Sequence, residues 1–254
     1  MILLTNDDGI EAPGLRKLHE AIAQIDKVVV VAPETEQSAM GHGITLSKPL
    51  KVRKVIEKGE FFGYGVSGTP ADCIKIALTT LLSEKPRLVI SGINHGGNLG
   101  TCVVYSGTVS AATEAAIMGF PAIAVSLNTL ENPDFSAAAS FIRFFAPKVI
   151  EKGLPERVSL NVNIPAVAES EILGIAFTRQ SESRVIETFV KQTDPNDNTC
   201  YWMSGEMRWD KEKGQTTDSE MVNRNYVSVT PIHPDLTHFE TLREMKNWNI
   251  KFKA

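Results

Sequence analysis

Short apolar runs and helix-forming segments alternate through residues 1–165, and this alternation limits the possible folds more than any other feature. Four consecutive valines occupy residues 28–31, a run too short for a helix and rich in the β-branched residues that strands favour. The preceding segment instead places Leu15, Leu18 and Ile22 at helical spacing. Strands that alternate with helices in this way form a mostly parallel sheet with helices on both faces, so an α/β fold is predicted.

Turn signals and strand-like segments replace this regular alternation in the later part of the chain. Residues 172–230 favour antiparallel strands or a projecting β-hairpin. A further strand is predicted at residues 226–232 and a terminal helix at residues 239–248. We therefore divide the chain into a core at residues 1–165 and a C-terminal extension at residues 166–254, which together form one functional unit.

Composition and charge exclude several classes of protein. The chain has 254 residues, of which 43% are hydrophobic and 22% charged, as in an ordinary globular protein. Its formal net charge of -4 lacks the positive footprint of a protein that binds polymeric nucleic acid. No apolar run approaches the roughly 20 residues of a membrane-spanning helix, so no membrane association is expected. Residues 1–8 lack the basic start of a signal peptide.

The cysteines indicate a reducing compartment. Cys73, Cys102 and Cys200 are odd in number and widely separated, and no Cys-x-x-Cys pair occurs in the sequence. A disulfide framework would need an even number of cysteines at compact spacings. We therefore expect reduced thiols and a cytoplasmic location.

Four polar clusters fall where predicted strands end or where the next helix begins. They occupy residues 6–9, 33–43, 91–98 and 106–108. Ligands of open α/β sheets bind outside the carboxyl ends of the strands. The four clusters are therefore expected to converge on one functional site.

Asp7 and Asp8 are the most informative pair within these clusters. Adjacent carboxylates at a buried strand end repel each other and lose hydration, so a positive charge should compensate them. A divalent cation would do so, although one aspartate could instead cap the following turn while the other faces solvent. If Ser38 and Asn94 join the pair, all the ligands are oxygen atoms, which favours Mg²⁺, Mn²⁺ or Ca²⁺ over Zn²⁺.

Two further segments could contact an anionic ligand. The glycines of residues 92–100 would let the backbone approach a ligand closely, or they could serve only turns. Ser106, Gly107 and Thr108 begin a predicted helix, where free N–H groups bind anions, although simple N-capping is the alternative. His95, inside the glycine-rich segment, could donate a proton.

Residues 63–68 match the dinucleotide-binding pattern Gly-x-Gly-x-x-Gly. However, the residues before them are polar, whereas a buried apolar strand should precede a phosphate-binding turn. Phe62, Tyr64 and Val66 also continue an alternating pattern through the glycines. The segment is therefore predicted to be a strand.

Seven motifs in matching order and spacing resemble the SurE family of survival-protein nucleotidases. Two of them are Ser-Gly-Ile-Asn-His-Gly-Gly-Asn at residues 91–98 and Tyr-Ser-Gly-Thr-Val-Ser-Ala-Ala at residues 105–112. The others lie at residues 2–9, 32–39, 67–73, 161–165 and 226–231. Because the motifs extend over nearly the whole chain, chance is a poor explanation of the match.

This resemblance implies a Rossmann-like core and a metal-dependent phosphatase that acts on nucleoside 5′- and 3′-monophosphates. It places the metal ligands on Asp7, Asp8, Ser38 and Asn94, with one divalent cation (Mg²⁺, Mn²⁺ or Ca²⁺) in each subunit. It also implies a homodimer or homotetramer built through carboxy-terminal arms.

The same clusters supply the candidate site residues. Asp7, Asp8 and Asn94 are the candidate catalytic residues. The candidate substrate-binding residues lie in the neighbouring loops and helix start: Asn6, Gly41, His95, Gly96, Asn98, Ser106, Gly107 and Thr108.

Two mechanisms and two other classes of function stay open. A cation-activated water could attack phosphorus in line, or Asp7 or Asp8 could act as the nucleophile and form an aspartyl-phosphate. A non-catalytic Mg²⁺-binding regulator of the receiver type needs a third acid at a later strand end, where this chain has Ser91 and Asn94. A nucleotide-binding module without catalysis would depend on residues 63–68. Phosphate release from mononucleotides, with and without chelator, distinguishes these functions.

Overall fold

A nine-stranded sheet forms the centre of the computed structural model, which describes residues 1–209 and 216–252. The strands are β1 (Ile2–Thr5), β2 (Val28–Pro33), β3 (Val52–Glu57), β4 (Glu60–Val66), β5 (Leu88–His95), β6 (Ala122–Asn128), β7 (Ser159–Pro165), β8 (Gly174–Phe177), β9 (Arg184–Thr193), β10 (Thr199–Arg208) and β11 (Tyr226–Ile232). The α-helices are α1 (Pro13–Ile22), α2 (Pro70–Ile76), α3 (Gly107–Ile117), α4 (Ser136–Lys152), α5 (Asp218–Asn223) and α6 (Phe239–Met245).

The central sheet has the strand order β3-β4-β2-β1-β5-β6-β7-β11-β8. The run from β4 to β7 is parallel throughout, whereas β3 pairs antiparallel with β4 and β11 pairs antiparallel with β7. Strands β9 and β10 form a separate antiparallel hairpin. The predicted α/β fold, with a mostly parallel sheet and a C-terminal hairpin, is confirmed.

Strand β1 is buried on both faces because its side chains alternate between two cores. Leu3 packs in the cluster under α2 and α3, whereas Ile2 and Leu4 pack in the cluster under α1 and α4. All three side chains are fully buried. Burial of each contributes about 1.5–3 kcal/mol, so the carboxyl end of β1 is firmly held at the middle of the sheet.

Helix α2 begins with a capping box at residues 69–72. The Thr69 hydroxyl accepts the backbone N–H of Asp72 at 3.1 Å, and the Asp72 carboxylate accepts the N–H of Thr69 at 3.0 Å. The same carboxylate accepts the backbone N–H of Thr45 at 3.0 Å. Burial alone would raise the pKa of Asp72, but the hydrogen bonds from Thr45 and Thr69 outweigh it and lower that pKa.

Strand β5 extends farther than the sequence pattern predicts. The polar cluster at residues 91–98 predicts that the strand before it ends at about Ser91. Pairing with β6 instead resumes after an irregularity and joins Asn94 to Ser126 and His95 to Leu127. Ile93, immediately before Asn94, is fully buried. This apolar contact holds the polar segment against the sheet, so Asn94 and His95 lie on a strand rather than in a free loop.

The glycine-rich residues 63–66 belong to β4, so the strand prediction is confirmed. A Cβ atom at Gly63 would lie 2.6 Å from the carbonyl oxygen of Val30 on the neighbouring strand. Glycine is required at that position by close packing between strands, not by a phosphate.

The C-terminal extension shares its sheet with the core. Strands β11 and β8 continue the central sheet, while the β9–β10 hairpin carries mostly exposed side chains. Helix α6 is shorter than predicted and ends at Met245. Positions 210–215 and 253–254 of the extension lie outside the described residues. None of the described helices is long and apolar enough to cross a membrane.

We predict that Asp72→Asn lowers the free energy of unfolding by about 1–2 kcal/mol near neutral pH, because a charged acceptor of backbone N–H groups is lost. The folded-state pKa of Asp72 lies below its ordinary value. The contribution of the ionised Asp72 carboxylate to the free energy of unfolding is therefore complete above about pH 4. It is lost as the pH falls through the pKa of Asp72 in the folded state.

Urea denaturation at several pH values tests this prediction. The difference between wild type and Asp72→Asn should shrink below about pH 4. The control is Glu84→Gln, which removes an exposed ion pair with Lys27 and should change stability by less than about 1 kcal/mol. Equal destabilisation by both variants would contradict the role given to the capping carboxylate.

Candidate active site

Three consecutive polar residues follow β1, next to the carboxyl half of β5. Asn6 is fully buried, Asp7 is 4% exposed and Asp8 is half-buried. The Asn6 amide donates to the carbonyl of Gly9 at 2.9 Å and closes the turn. Asn6 Oδ1 is also buried but has no hydrogen-bond partner among the described residues. An unsatisfied acceptor therefore lies beside the two carboxylates.

The Asp7 carboxylate lies against the first turn of helix α3. It accepts hydrogen bonds from the Thr108 hydroxyl and from the backbone N–H groups of Gly107 and Thr108. A Cβ atom at Gly107 would come within 2.7 Å of Asp7 Cβ, so only glycine permits this approach. The positive end of the helix dipole favours a carboxylate here. Burial nevertheless outweighs these bonds and raises the pKa of Asp7.

Asp8 has less compensation for its charge. Burial, reinforced by the negative charge of Asp7, raises the pKa of Asp8 to about 7. The backbone N–H of His95 donates to the Asp8 carboxylate and opposes this shift, whereas the charge of Glu36 adds to it. No cationic side chain is among the groups that shift the pKa of Asp8. The pair therefore carries negative charge that the described residues leave uncompensated.

The loop after β2 brings Ser38 to the same end of the sheet. The backbone N–H of Gln37 donates to the carbonyl of Asp7 at 2.7 Å. The exposed Ser38 hydroxyl donates to Glu36 Oε1 at 2.6 Å. Ser38 directly follows Gln37, the residue whose backbone contacts Asp7. Its role as a metal ligand stays a prediction.

Asn94 lies near the end of β5. It directly precedes His95, whose backbone N–H donates to the Asp8 carboxylate. Its Nδ2 donates to the carbonyl of Gly96 at 2.7 Å. Because the amide nitrogen is engaged with the backbone, the side-chain oxygen is the atom that can serve as a ligand. Gly96 is itself anchored, since its N–H donates to the carbonyl of Leu127 at 3.0 Å.

The chemistry of these donors fits a hard divalent cation. No group of three or more histidine, cysteine, aspartate or glutamate side chains within residues 1–209 and 216–252 could hold a metal ion. A metal site here must therefore combine the two carboxylates with amide or hydroxyl oxygens. The unsatisfied Asn6 oxygen and the two carboxylates, which have no cationic side chain among the groups that shift the pKa of Asp8, fit such a site.

The candidate residues around the α3 start are mainly engaged with the protein. Ser106 is the N-cap, because its hydroxyl accepts the N–H of Val109 at 3.1 Å. The Gly41 N–H donates to the carbonyl of Tyr105 at 3.0 Å, which joins the loop after β2 to the same helix start. The contacts of Ser106, Gly107 and Thr108 with a substrate stay predictions.

Asn98 is the centre of a buried polar network. Its backbone N–H donates to Asn163 Oδ1 at 2.7 Å, and its Nδ2 donates to the Ser126 hydroxyl at 2.8 Å. Its carbonyl accepts the side-chain amides of Asn161 and Asn163 at 2.8 and 3.1 Å. Sequence analysis assigned no role to these two asparagines. Their position could have indicated a role, because the side-chain amide of an asparagine within a buried strand needs hydrogen-bond partners.

His95 is exposed and lines a small cavity beside Asp8. The cavity has a volume of about 210 Å³ and is otherwise formed by Ala12, Pro13, Gly14, Pro133 and Phe135. A mostly apolar wall thus adjoins the acidic pair. The structure therefore brings Asn6, Asp7, Asp8, Asn94 and His95 together at one end of the sheet.

Comparisons with known proteins show what the whole chain is similar to. The family model of survival protein SurE matches residues 2–187. A relative named 5′-nucleotidase SurE from Syntrophobacter fumaroxidans is 47% identical over 249 residues, which cover 98% of this chain and 99% of the relative. A second of the same name, from a Thermoanaerobacter species, is 47% identical over 252 residues, 99% of each chain.

A solved structure extends the similarity to three dimensions. The crystal structure of the SurE protein from Aquifex aeolicus aligns with a TM-score of 0.84 and 42% identity. The alignment covers 98% of this chain and 99% of that one. With the family model and close relatives matching along nearly its whole length, this chain belongs to the survival protein SurE family.

Proposed function

We propose that this chain is a metal-dependent 5′-nucleotidase that hydrolyses nucleoside 5′- and 3′-monophosphates to nucleosides and inorganic phosphate. The observation that carries the proposal is the pair of buried Asp7 and half-buried Asp8 at the carboxyl end of the central strand, with no cationic side chain among the groups that shift their pKa values. The relatives' name, 5′-nucleotidase SurE, supports the proposed substrate class.

One divalent cation, Mg²⁺, Mn²⁺ or Ca²⁺, would be held by Asp7, Asp8, Ser38 and Asn94. When bound, it would polarise the phosphoryl oxygens and lower the pKa of a water molecule. Phosphate monoesters hydrolyse extremely slowly without a catalyst, so strong stabilisation of developing charge is required.

The surrounding residues support direct attack by water. The carboxylate of Asp7 accepts several hydrogen bonds from the α3 start, which makes it a poor nucleophile. We assign it the role of a fixed ligand. The candidate contacts to the substrate are Asn6, Gly41, Gly96, Asn98, Ser106, Gly107 and Thr108. His95, exposed beside Asp8, is the candidate proton donor to the leaving oxygen.

We also propose that the protein works in the cytoplasm. Cys73, Cys102 and Cys200 are free thiols, and burial raises the pKa of Cys73 well above its ordinary value. Inert, reduced cysteines are typical of that compartment.

We expect chelation to abolish phosphate release from a panel of mononucleotides and Mn²⁺ or Mg²⁺ to restore it. Asp8→Asn should lower kcat/KM by at least about 100-fold, since even residues that only support metal ligands cost about 10- to 100-fold when mutated. The matched control is Asp26→Asn, which removes an acid at the opposite end of the sheet. Full activity in Asp8→Asn would overturn the site assignment.

The same substitution should stabilise the metal-free protein. Because the folded pKa of Asp8 is about 7, above its ordinary value of 3.8, its ionisation disfavours folding increasingly above about pH 4. In chelator, Asp8→Asn should therefore have a higher Tm than wild type, by little near pH 5 and by more near pH 8.

Differential scanning fluorimetry measures both Tm values. Mn²⁺ should raise the Tm of wild type and raise that of Asp8→Asn much less, because binding to the folded state alone stabilises it. Asp26→Asn should instead lower the Tm in chelator, because it removes the bond with Arg87 that lowers the pKa of Asp26. A lower Tm for Asp8→Asn in chelator near pH 8 would contradict the argument.

We further propose a homodimer or homotetramer whose interface includes the β9–β10 hairpin. Phe189, Val190, Trp202 and Met203 are exposed, and the register pairs them across the two strands. A two-stranded hairpin with exposed apolar side chains is marginal in water unless another surface covers it.

The double variant Phe189→Ser with Trp202→Ser should reduce the mass measured by sedimentation velocity, because it removes apolar area from the proposed interface. Thr188→Ser on the same strand is the control and should keep the wild-type assembly. A monomeric wild type, or a double variant with unchanged mass, would show that the hairpin does not mediate assembly.

A further inference from the structure

A buried glutamate in the middle of helix α3 joins three elements of the structure. The side chain of Glu114 is 6% exposed. Its Oε1 lies 2.5 Å from Lys75 Nζ on helix α2, and its Oε2 lies 2.8 Å from His42 Nε2 in the loop after β2. A carboxylate in this position is costly unless it is paired, and Lys75 and His42 each offset part of that cost.

The loop that contains His42 is held to the core by individual hydrogen bonds. Residues 34–51 connect β2 with β3 without a helix or strand of their own. The backbone N–H of Gly41 donates to the carbonyl of Tyr105, and that of Thr45 donates to the Asp72 carboxylate. The carbonyl of Gly43 accepts the Thr69 hydroxyl at 2.7 Å. Between Gly41 and Thr45, His42 is the residue whose side chain reaches a buried partner.

The loop also carries two candidate site residues. Ser38 is a candidate metal ligand, and Gly41 is a candidate contact to the substrate. His42 follows Gly41 directly, so the position of the His42 ring limits how far the Gly41 backbone can move. Through the His42 ring, Glu114 is therefore connected to the loop of both candidate site residues.

We propose that Glu114 is a positioning residue of the active site, which acts through His42 to hold the loop of Ser38 and Gly41 against helix α3. This inference rests on the proposed nucleotidase function for its kinetic consequences. Its structural consequence, order in the loop, does not depend on that function. The carboxylate touches neither substrate nor metal in this role.

The test compares His42→Ala, Glu114→Ala and the double variant with wild type. His42→Ala leaves the buried Glu114 paired with Lys75, so it should fold even if Glu114→Ala does not. We expect each single variant to lower kcat/KM for a nucleoside monophosphate by about 10- to 100-fold, the cost of small displacements in a catalytic site. The double variant should lose no more than either single variant, because the two residues act as a unit.

Two further readouts and two further variants separate positioning from a general loss of stability. Hydrogen exchange at the Gly41 amide should accelerate in all three variants, and the rise in Tm on adding Mn²⁺ should diminish. His42→Gln retains a side-chain donor to Glu114 and should recover part of both effects. Asp26→Asn, which also removes an acid bonded to two partners, should lower the Tm but leave kcat/KM and Gly41 exchange unchanged.

Two results would overturn the proposal. One is a rate of hydrogen exchange at the Gly41 amide that is the same in His42→Ala as in wild type. The other is a lower Tm with unchanged kcat/KM in the variants, which would limit the role of Glu114 to helix packing. Absence of phosphatase activity in the wild type itself would instead refute the nucleotidase function. In that case, hydrogen exchange and the Mn²⁺-dependent Tm still decide whether Glu114 positions the loop.

Discussion

The contact between the Asp7 carboxylate and the first turn of helix α3 is the interaction on which the rest of the site depends. It joins the central strand to the helix that covers it, and it is possible only because residue 107 is glycine. The helix dipole and the Thr108 hydroxyl partly offset the cost of burying one charge. Asp8 therefore lies next to the negative charge of Asp7, and no cationic side chain is among the groups that shift its own pKa.

This electrostatic imbalance links stability to ligand binding. A folded chain that keeps Asp8 ionised at neutral pH is less stable than one in which a cation neutralises the pair. Repulsion between the two carboxylates would favour the binding of a cation. The backbone of Asn98 is bonded to Asn163 on β7, and Glu114 is paired with Lys75 on helix α2. The buried clusters on the two faces of β1 offset the cost of placing the acidic pair at the end of that strand.

Much of the fold was predictable because its signals are local. The valine run, the capping box at Thr69 and the helical spacing in α1 each involve residues close in the chain. The end of β5 was mispredicted because burial of Ile93 and pairing with β6 extend the strand through polar residues. Local polarity indicated a loop, and a tertiary contact overruled it.

The sequence by itself determined the fold class, the order of the elements and the polar segments that end the strands, since periodicity and turn chemistry are encoded over a few residues. Only the tertiary structure decided which groups meet. The contact of Thr108 with Asp7 spans 101 residues of chain, and that of His42 with Glu114 spans 72. Long-range pairs of this kind depend on how strands and helices pack, and no local pattern in a single sequence specifies them.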